Sequence, residues 1–317
     1  MRRRYEARPS LGAPLGPVLA VWALAALTAA AVFVTYSRID PARLYHVSGE
    51  GLGGGASRLV VTLSFPVAVM ALPLLPIVVA RLRRTPGTSR REHAAAAAVA
   101  LVAAALCATV IVSVEQADLD ARWLNAPTVA GTLLAAGLTA YVARRTGIGR
   151  SRRPLPLAAW VVIGVLVLVA LPWLGAIVGV SLGRAPVVGG LFNADEGAVH
   201  LGDHHGFDGT LLAISAILVW PALASMARDR LRSLAVFVVA LELTYGMANA
   251  LQDAWLEQIV KRGWSDSELP SVVVPSLSLE WGAIVVVAVA LWWVASTRLL
   301  TGGRGGSSFR APTGAAA

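Results

Sequence analysis

The chain has 317 residues, of which 56% are hydrophobic and only 14% are charged, and its net charge is +9. Soluble domains carry about 25% charged residues, so this composition excludes an ordinary soluble protein and indicates a polytopic membrane protein. The single cysteine, Cys107, excludes a disulfide framework within one chain and a zinc site built from several thiolates. The alternating pattern of a transmembrane β-barrel is absent, so we predict an all-α fold.

Long apolar runs predict about eight transmembrane helices, because a helix needs roughly 20 apolar residues to cross the hydrocarbon core. The predicted helices lie at about 15–36, 58–80, 94–114, 123–143, 157–182, 208–227, 233–254 and 279–299. Together they form a single transmembrane domain, 15–299, which follows a basic N-terminal segment, 1–14. The Gly/Ser/Ala-rich tail, 300–317, is expected to be disordered.

The arginines indicate the orientation of these helices. Segments such as "RLRRTPGTSRRE" and "RRTGIGRSRR" alternate along the chain with loops that contain few arginines. Because positively charged loops stay in the cytoplasm, both termini are predicted to be cytoplasmic, in a protein of the plasma membrane. The basic net charge is then a topology signal, so we expect membrane lipid as a partner and no nucleic acid.

The loop before the second predicted helix is "YHVSGEGLGGGAS", which begins at Tyr45. His46 and Glu50 are four residues apart, and the glycines would let the backbone approach a ligand closely. His46 is therefore a candidate metal ligand and Glu50 a candidate pocket residue, although a flexible outer loop explains them equally well. A related pattern at 199–215 suggests a weak four-plus-four repeat.

The segment "HLGDHHGFDG", which begins at His200, precedes the sixth predicted helix. In a helix it would place His200, Asp203, His204 and Asp208 on one face, with the glycines opposite and His205 pointing elsewhere. His-x3-His-x3-Asp is a workable metal-binding spacing, so His200, His204 and Asp208 are candidate ligands of zinc or another divalent cation. Glycines disfavour a helix here, so the alternative is a polar loop in which Asp208 caps the helix.

The seventh predicted helix contains "LELTYGMANALQDAWLE", in which Glu242 lies near the middle of the membrane. A carboxylate at that depth is costly and is a functional hypothesis by default. Tyr245, Asn249 and Asp253 follow on the same helical stripe, so we expect them to line a pocket with Glu242. Glu242 and Asp203 are the candidate catalytic residues. Interhelical hydrogen bonding is the structural alternative.

Three functions fit these residues. The preferred hypothesis is a metal-dependent, membrane-embedded hydrolase or lipid-modifying enzyme, with an outward-facing pocket in which Glu242 or Asp203 acts as general base. The first alternative is a proton-coupled secondary transporter in which Glu242 carries the proton. The second is a non-catalytic metal-handling or assembly factor of the cell envelope. At the level of the sequence, an enzyme and a non-enzyme both remain open.

Overall fold

The computed structural model describes residues 13–115, 118–149, 154–180 and 201–301, with side chains of the last helix described as far as Thr297. His200 lies outside the described residues. So do nearly all of the predicted N-terminal segment and of the predicted disordered tail.

The described part of the chain is helical, and its only β-pairing is an isolated bridge between Leu44 and Leu201. The helices are α1 (Gly16–Arg38), α2 (Gly51–Ser64), α3 (Val67–Arg83), α4 (Arg90–Ala108), α5 (Val110–Ser113), α6 (Asn125–Thr146), α7 (Leu157–Val169), α8 (Leu171–Ile177), α9 (His205–Ala224), α10 (Arg230–Trp255) and α11 (Leu279–Thr301). A 3₁₀ turn covers Pro41–Arg43, and α10 continues into a π-helical turn at Leu256–Val260. The predicted all-α bundle is confirmed.

Six helices in the described residues are long and apolar enough to cross a membrane, and the number rises to eight if each bent helix pair is one span. The bent pairs are α2 with α3, at 42°, and α7 with α8, at 57°. Phe65 takes an extended conformation between α2 and α3 because it precedes Pro66, and a residue before proline disfavours the helical region. Multi-pass membrane character is therefore shown, whereas the orientation and the identity of the membrane stay predictions.

Helices α9 and α10 pack closely and position the site. A Cβ atom added at Gly209 would lie 2.7 Å from the backbone nitrogen of Ala250, and one at Gly246 would lie 2.8 Å from that of Ala213. Glycines of this kind let two membrane helices approach at backbone distance. The contact brings the first turn of α9 beside the last turn of α10.

Two glycines of "GEGLGGGAS", Gly54 and Gly55, serve helix packing in this structure. They lie in α2, where a Cβ atom at Gly55 would be 2.6 Å from the carbonyl oxygen of Phe33 in α1. Helix α2 begins at Gly51, seven residues before the predicted start at Arg58. The expected ligand-binding loop is therefore mostly helix, and Arg58 lies about two turns inside it.

Candidate metal centre

His204, Asp253 and Glu257 form a buried group that could hold a metal ion. One ligand atom from each residue lies within 4.8 Å of the other two, and all three residues are buried. The Nδ1 atom of His204 is 3.1 Å from Oε1 of Glu257. One imidazole with two carboxylates is a ligand set that suits zinc and several other first-row divalent metals.

The local structure explains why these residues meet. Asp253 lies in the last turn of α10, and Glu257 follows four residues later in the π-helical turn. Residues four apart share a helix face, and π-helical turns occur frequently at functional sites. His204 immediately precedes the first turn of α9, which packs against this end of α10.

Hydrogen bonds from the surrounding structure hold both carboxylates in place. The indole nitrogen of Trp173 donates to Oε2 of Glu257 at 2.8 Å, and the backbone nitrogen of Gly206 donates to Oδ2 of Asp253 at 2.9 Å. The second oxygen of each carboxylate faces an imidazole, that of His204 for Glu257 and that of His205 for Asp253. Such outer hydrogen bonds orient metal ligands and raise the affinity of the site.

The cluster lies on the wall of a polar cavity of about 280 Å³. Other charged side chains on its wall include Arg58, Arg122, Lys261, Asp118, Asp120, Asp203 and Asp208. Four of the lining carboxyl groups are buried, whereas Arg58 is the buried guanidinium among the described lining residues. Two of these four carboxyl groups face a basic side chain, Asp203 at Arg58 and Glu257 at His204.

Asp203 and Asp208 differ in how their oxygens are used. Oδ2 of Asp203 accepts from Arg58 at 2.6 Å, and Oδ1 accepts from the backbone nitrogen of His204 at 3.0 Å. Asp208 is equally buried, yet its Oδ1 has no hydrogen-bond partner within the described ranges. Asp203 therefore anchors the segment before α9, and Asp208 retains an unused acceptor.

The carboxylates around His204 raise the pKa of its imidazole. Burial lowers the pKa of its imidazole, but the carboxylate of Glu257 outweighs that effect and raises the pKa to about 9. A metal ion binds the deprotonated imidazole, so it must displace a proton here.

The structure corrects the helical interpretation of "HLGDHHGFDG". Gly202 has a φ of 110°, and the helix begins only at His205, so His204 and the residues before it form no helical face. His205, predicted to point elsewhere, contacts Oε1 of Gln252 at 2.7 Å and lies 3.4 Å from Oδ1 of Asp253.

The cap of α9 also differs from the predicted one. Asp208 lies inside the first turn, and the carboxylate that accepts from the N-terminal backbone of α9 is that of Asp253, on α10. His200, the first residue of the predicted ligand set, lies outside the described residues.

His46 and Glu50 lie apart from the cluster. Both are exposed, and neither lines the polar cavity. His46 packs edge-on against Tyr45, with 3.9 Å between the ring centroids, and Glu50 is the residue before α2.

The polar stripe of α10 is present, but it divides between two regions. Glu242 lies eleven residues before Asp253, which is about 16 Å along a helix. It lines a second cavity, and Ser215 donates a hydrogen bond to its Oε1. The Tyr245 hydroxyl donates to the carbonyl of Val273 at 2.7 Å, and the Asn249 amide donates to the carbonyl of Tyr245 at 3.1 Å. Asp253 is the member of this stripe that joins His204.

Sequence reasoning missed Glu257, Arg58 and Trp173. Glu257 continues the α10 stripe by one turn beyond Asp253, but the predicted helix ended at residue 254. Arg58 stood at the predicted start of a helix, where a charged residue is unremarkable. Trp173 carries no local signal, because its role depends on a contact with a residue 84 positions later.

No family model matches the chain, and neither a curated protein nor a solved structure matches it at a significant level.

Proposed function

We propose that the protein is a metal-dependent, membrane-embedded hydrolase that acts on a lipid, with His204, Asp253 and Glu257 as its metal ligands. The observation that supports this proposal is the buried group of these three residues on the wall of a polar cavity within a membrane bundle. A divalent ion, zinc or another, would act as a Lewis acid. It would also lower the pKa of a water molecule, so that hydroxide is available to attack a carbonyl carbon.

The remaining buried groups fit roles in the hydrolysis of an ester or amide. The water oxygen bonds to the carbonyl carbon, the bond from that carbon to the leaving oxygen or nitrogen breaks, and a proton passes to the leaving group. Asp208 is our choice of general base because its Oδ1 is unused, whereas both oxygens of Asp203 are occupied. Arg58, whose buried Nε has no partner in the described part of the chain, is suited to bind a substrate oxygen.

Metal analysis of the detergent-purified protein tests the ligand set. We expect about one equivalent of a divalent metal per chain, and its loss in His204→Ala and in Glu257→Gln. Glu268→Gln, a change at an exposed acid outside the cluster, is the matched control and should retain the metal. A protein that binds no metal, or a His204→Ala variant that binds it normally, would contradict the proposal.

An assay for fatty acid released from a total lipid extract of the expression host tests the reaction. Asp208→Asn should retain the metal and lose most of the hydrolysis, because only proton transfer is impaired. Metal binding without hydrolysis of any lipid class would instead support the metal-handling factor.

A second candidate function is proton-coupled transport through Glu242. The supporting observation is that this buried carboxyl group has an Oε2 atom without a hydrogen-bond partner among the described residues, about halfway along α10. Intramembrane carboxyl groups of this kind serve as proton carriers in transporters. Substrate uptake that is lost in Glu242→Gln, in a protein that binds no metal, would favour this candidate.

A further inference from the structure

A second cavity, of about 190 Å³, lies beside the polar one. Its wall comes from α3, α4, α5, α10, the segment before α11 and the first turn of α11, and it includes the apolar side chains of Leu72, Val110 and Leu241. Tyr245 and Trp281 also line it, but the polar atoms of both side chains bond to backbone carbonyls of residues 272–274. The cavity therefore presents an almost wholly apolar surface.

The apolar cavity shares part of its wall with the polar one. Phe65 and Val114 line both cavities, so they form a common boundary. Phe65 lies at the bend between α2 and α3, where the helical path is interrupted. A molecule with a polar end and an apolar end would find a matching environment on each side of this boundary.

The apolar cavity also reaches the outer surface of the bundle. Ile111 lines it, yet 55% of this side chain is exposed. Glu242, another lining residue, lies twelve residues into α10, which places this part of the wall deep within the bilayer. Lipid chains of the membrane are therefore the apolar molecules that have access to it.

Charge gives the bound molecule an orientation. Glu242 is the carboxyl group in the apolar lining, and none of the described lining residues is cationic. A phosphate or carboxylate head group is disfavoured there, whereas Arg58, Arg122 and Lys261 line the polar cavity. The apolar end of the molecule therefore belongs beside Glu242 and the polar end beside Arg58.

We infer that the apolar cavity binds the hydrocarbon chain of a membrane lipid while the head group of the same molecule occupies the polar cavity. The placement of the head group in the polar cavity rests on the proposed function. It identifies the substrate as a chain-bearing lipid that enters sideways from the bilayer.

Photolabelling tests the cavity directly. The probe is phosphatidylcholine with a diazirine halfway along one acyl chain, in nanodiscs of unlabelled phosphatidylcholine, and labelled peptides are mapped by mass spectrometry. We expect labelling of the α10 segment around Val238 and Leu241 and of the segment around Pro275. Labelling confined to the outward face of α11 would overturn the inference.

A matched pair of variants separates the cavity from the general lipid surface. Val110→Trp fills the cavity, whereas Val112→Trp adds the same ring on the outer surface, where 67% of Val112 is exposed against 8% of Val110. We expect Val110→Trp to reduce labelling of the cavity segments at least tenfold and Val112→Trp to leave it unchanged. Should Val110→Trp fail to fold, Leu241→Phe provides a smaller obstruction. Equal labelling in a folded cavity variant and in the control would overturn the inference.

Metal content measured in the same preparations keeps the two proposals distinguishable. Val110→Trp should retain the metal, and His204→Ala should retain labelling of the cavity segments. Labelling without metal contradicts the proposed function alone, and metal without labelling contradicts the lipid cavity alone.

Discussion

Trp173 links the bent α7–α8 pair to the cluster of His204, Asp253 and Glu257 through one hydrogen bond. Its indole nitrogen donates to Glu257, and its ring is 2% exposed. Trp173 thus holds one oxygen of Glu257 while the other oxygen faces His204.

Trp173→Phe should lower the affinity for zinc about 10–100-fold, because it removes the hydrogen bond that orients a ligand. Competition with a zinc-binding dye measures this affinity. Trp160→Phe is the matched control, since Trp160 is 54% exposed on α7 and does not line the polar cavity. Equal affinities in the two variants would show that Trp173 does not orient the ligand.

Asp120 joins two segments at the mouth of the polar cavity. Its carboxylate accepts from the backbone nitrogen of Ser48 at 2.8 Å, from the Ser48 hydroxyl at 2.6 Å and from the Ser57 hydroxyl at 3.2 Å. Partial burial raises the pKa of Asp120, but these hydrogen bonds outweigh it and leave the pKa below its ordinary value. The charged form is therefore favoured in the folded protein.

Asp120→Asn should lower the free energy of unfolding by about 1 kcal/mol at pH 7. Because the pKa is lower in the folded state, the contribution is present above about pH 4 and is lost as the pH falls through the folded-state value. Thermal melting in detergent between pH 7 and pH 3 measures the difference, which should shrink on acidification. Glu50→Gln, at an exposed neighbour, should change melting little at any pH, and a pH-independent Asp120→Asn effect would contradict this account.

At the residue scale, the sequence predicted individual members of the cluster better than their pairing. His204 was a candidate metal ligand and Asp253 a candidate pocket residue, because clustered histidines and intramembrane acids are visible in a sequence. Their pairing with Glu257 depends on how α9 packs against α10, which spacing within either segment does not specify. Asp208 and Asp203 were both noted in the sequence. Which of them keeps an unused oxygen depends on the hydrogen bond that Arg58, more than 140 residues earlier in the chain, donates to Asp203.

Among the elements, the α9–α10 pair is the one that the site depends on. Gly209→Ala places a methyl group 2.7 Å from the backbone nitrogen of Ala250, a contact that requires the helices to separate. We expect it to destabilise the protein by about 1–3 kcal/mol, the usual cost of overpacking. Thermal melting in detergent measures this.

Gly137→Ala is the matched control, because a Cβ atom at Gly137 in α6 meets nothing within 4 Å. This substitution should be neutral or stabilising, since alanine favours a helix over glycine. Equal destabilisation by the two substitutions would argue against a close crossing of α9 and α10.

Helix ends were harder to predict than helices. Apolar runs located all the long helices, because the bilayer fixes the length that a spanning run must have. The predicted start of the second span was nevertheless seven residues too late. The three prolines of the second span indicate a kinked helix, whereas the bend at Ala170 was not predicted. Pro66 interrupts the second span and Ala170 the fifth, whereas Pro73 and Pro76 lie inside α3 without ending it. Proline alone therefore does not decide where a helix breaks.

At the scale of the whole molecule, the alternating arginines support the predicted orientation of the protein in the membrane. The single cysteine, Cys107, is fully buried, so introduced cysteines can be labelled against a low background. Glu268 and Pro86 are exposed in loops between α10 and α11 and between α3 and α4. We expect a membrane-impermeant maleimide to label Glu268→Cys in intact cells and Pro86→Cys only after permeabilisation. The reverse pattern would place the polar cavity on the cytoplasmic side.

The cap that α9 takes from α10 bears on how the chain enters the membrane. The backbone nitrogen of Gly206 bonds to Asp253, a residue synthesised 47 positions later. Until α10 emerges, the first turn of α9 lacks this acceptor and must remain hydrated, since an unpaired amide is costly in lipid. Helices α9 and α10 are therefore expected to complete their insertion as one hairpin. The cluster of His204, Asp253 and Glu257 is expected to form in the same step, because it joins the same two helix ends.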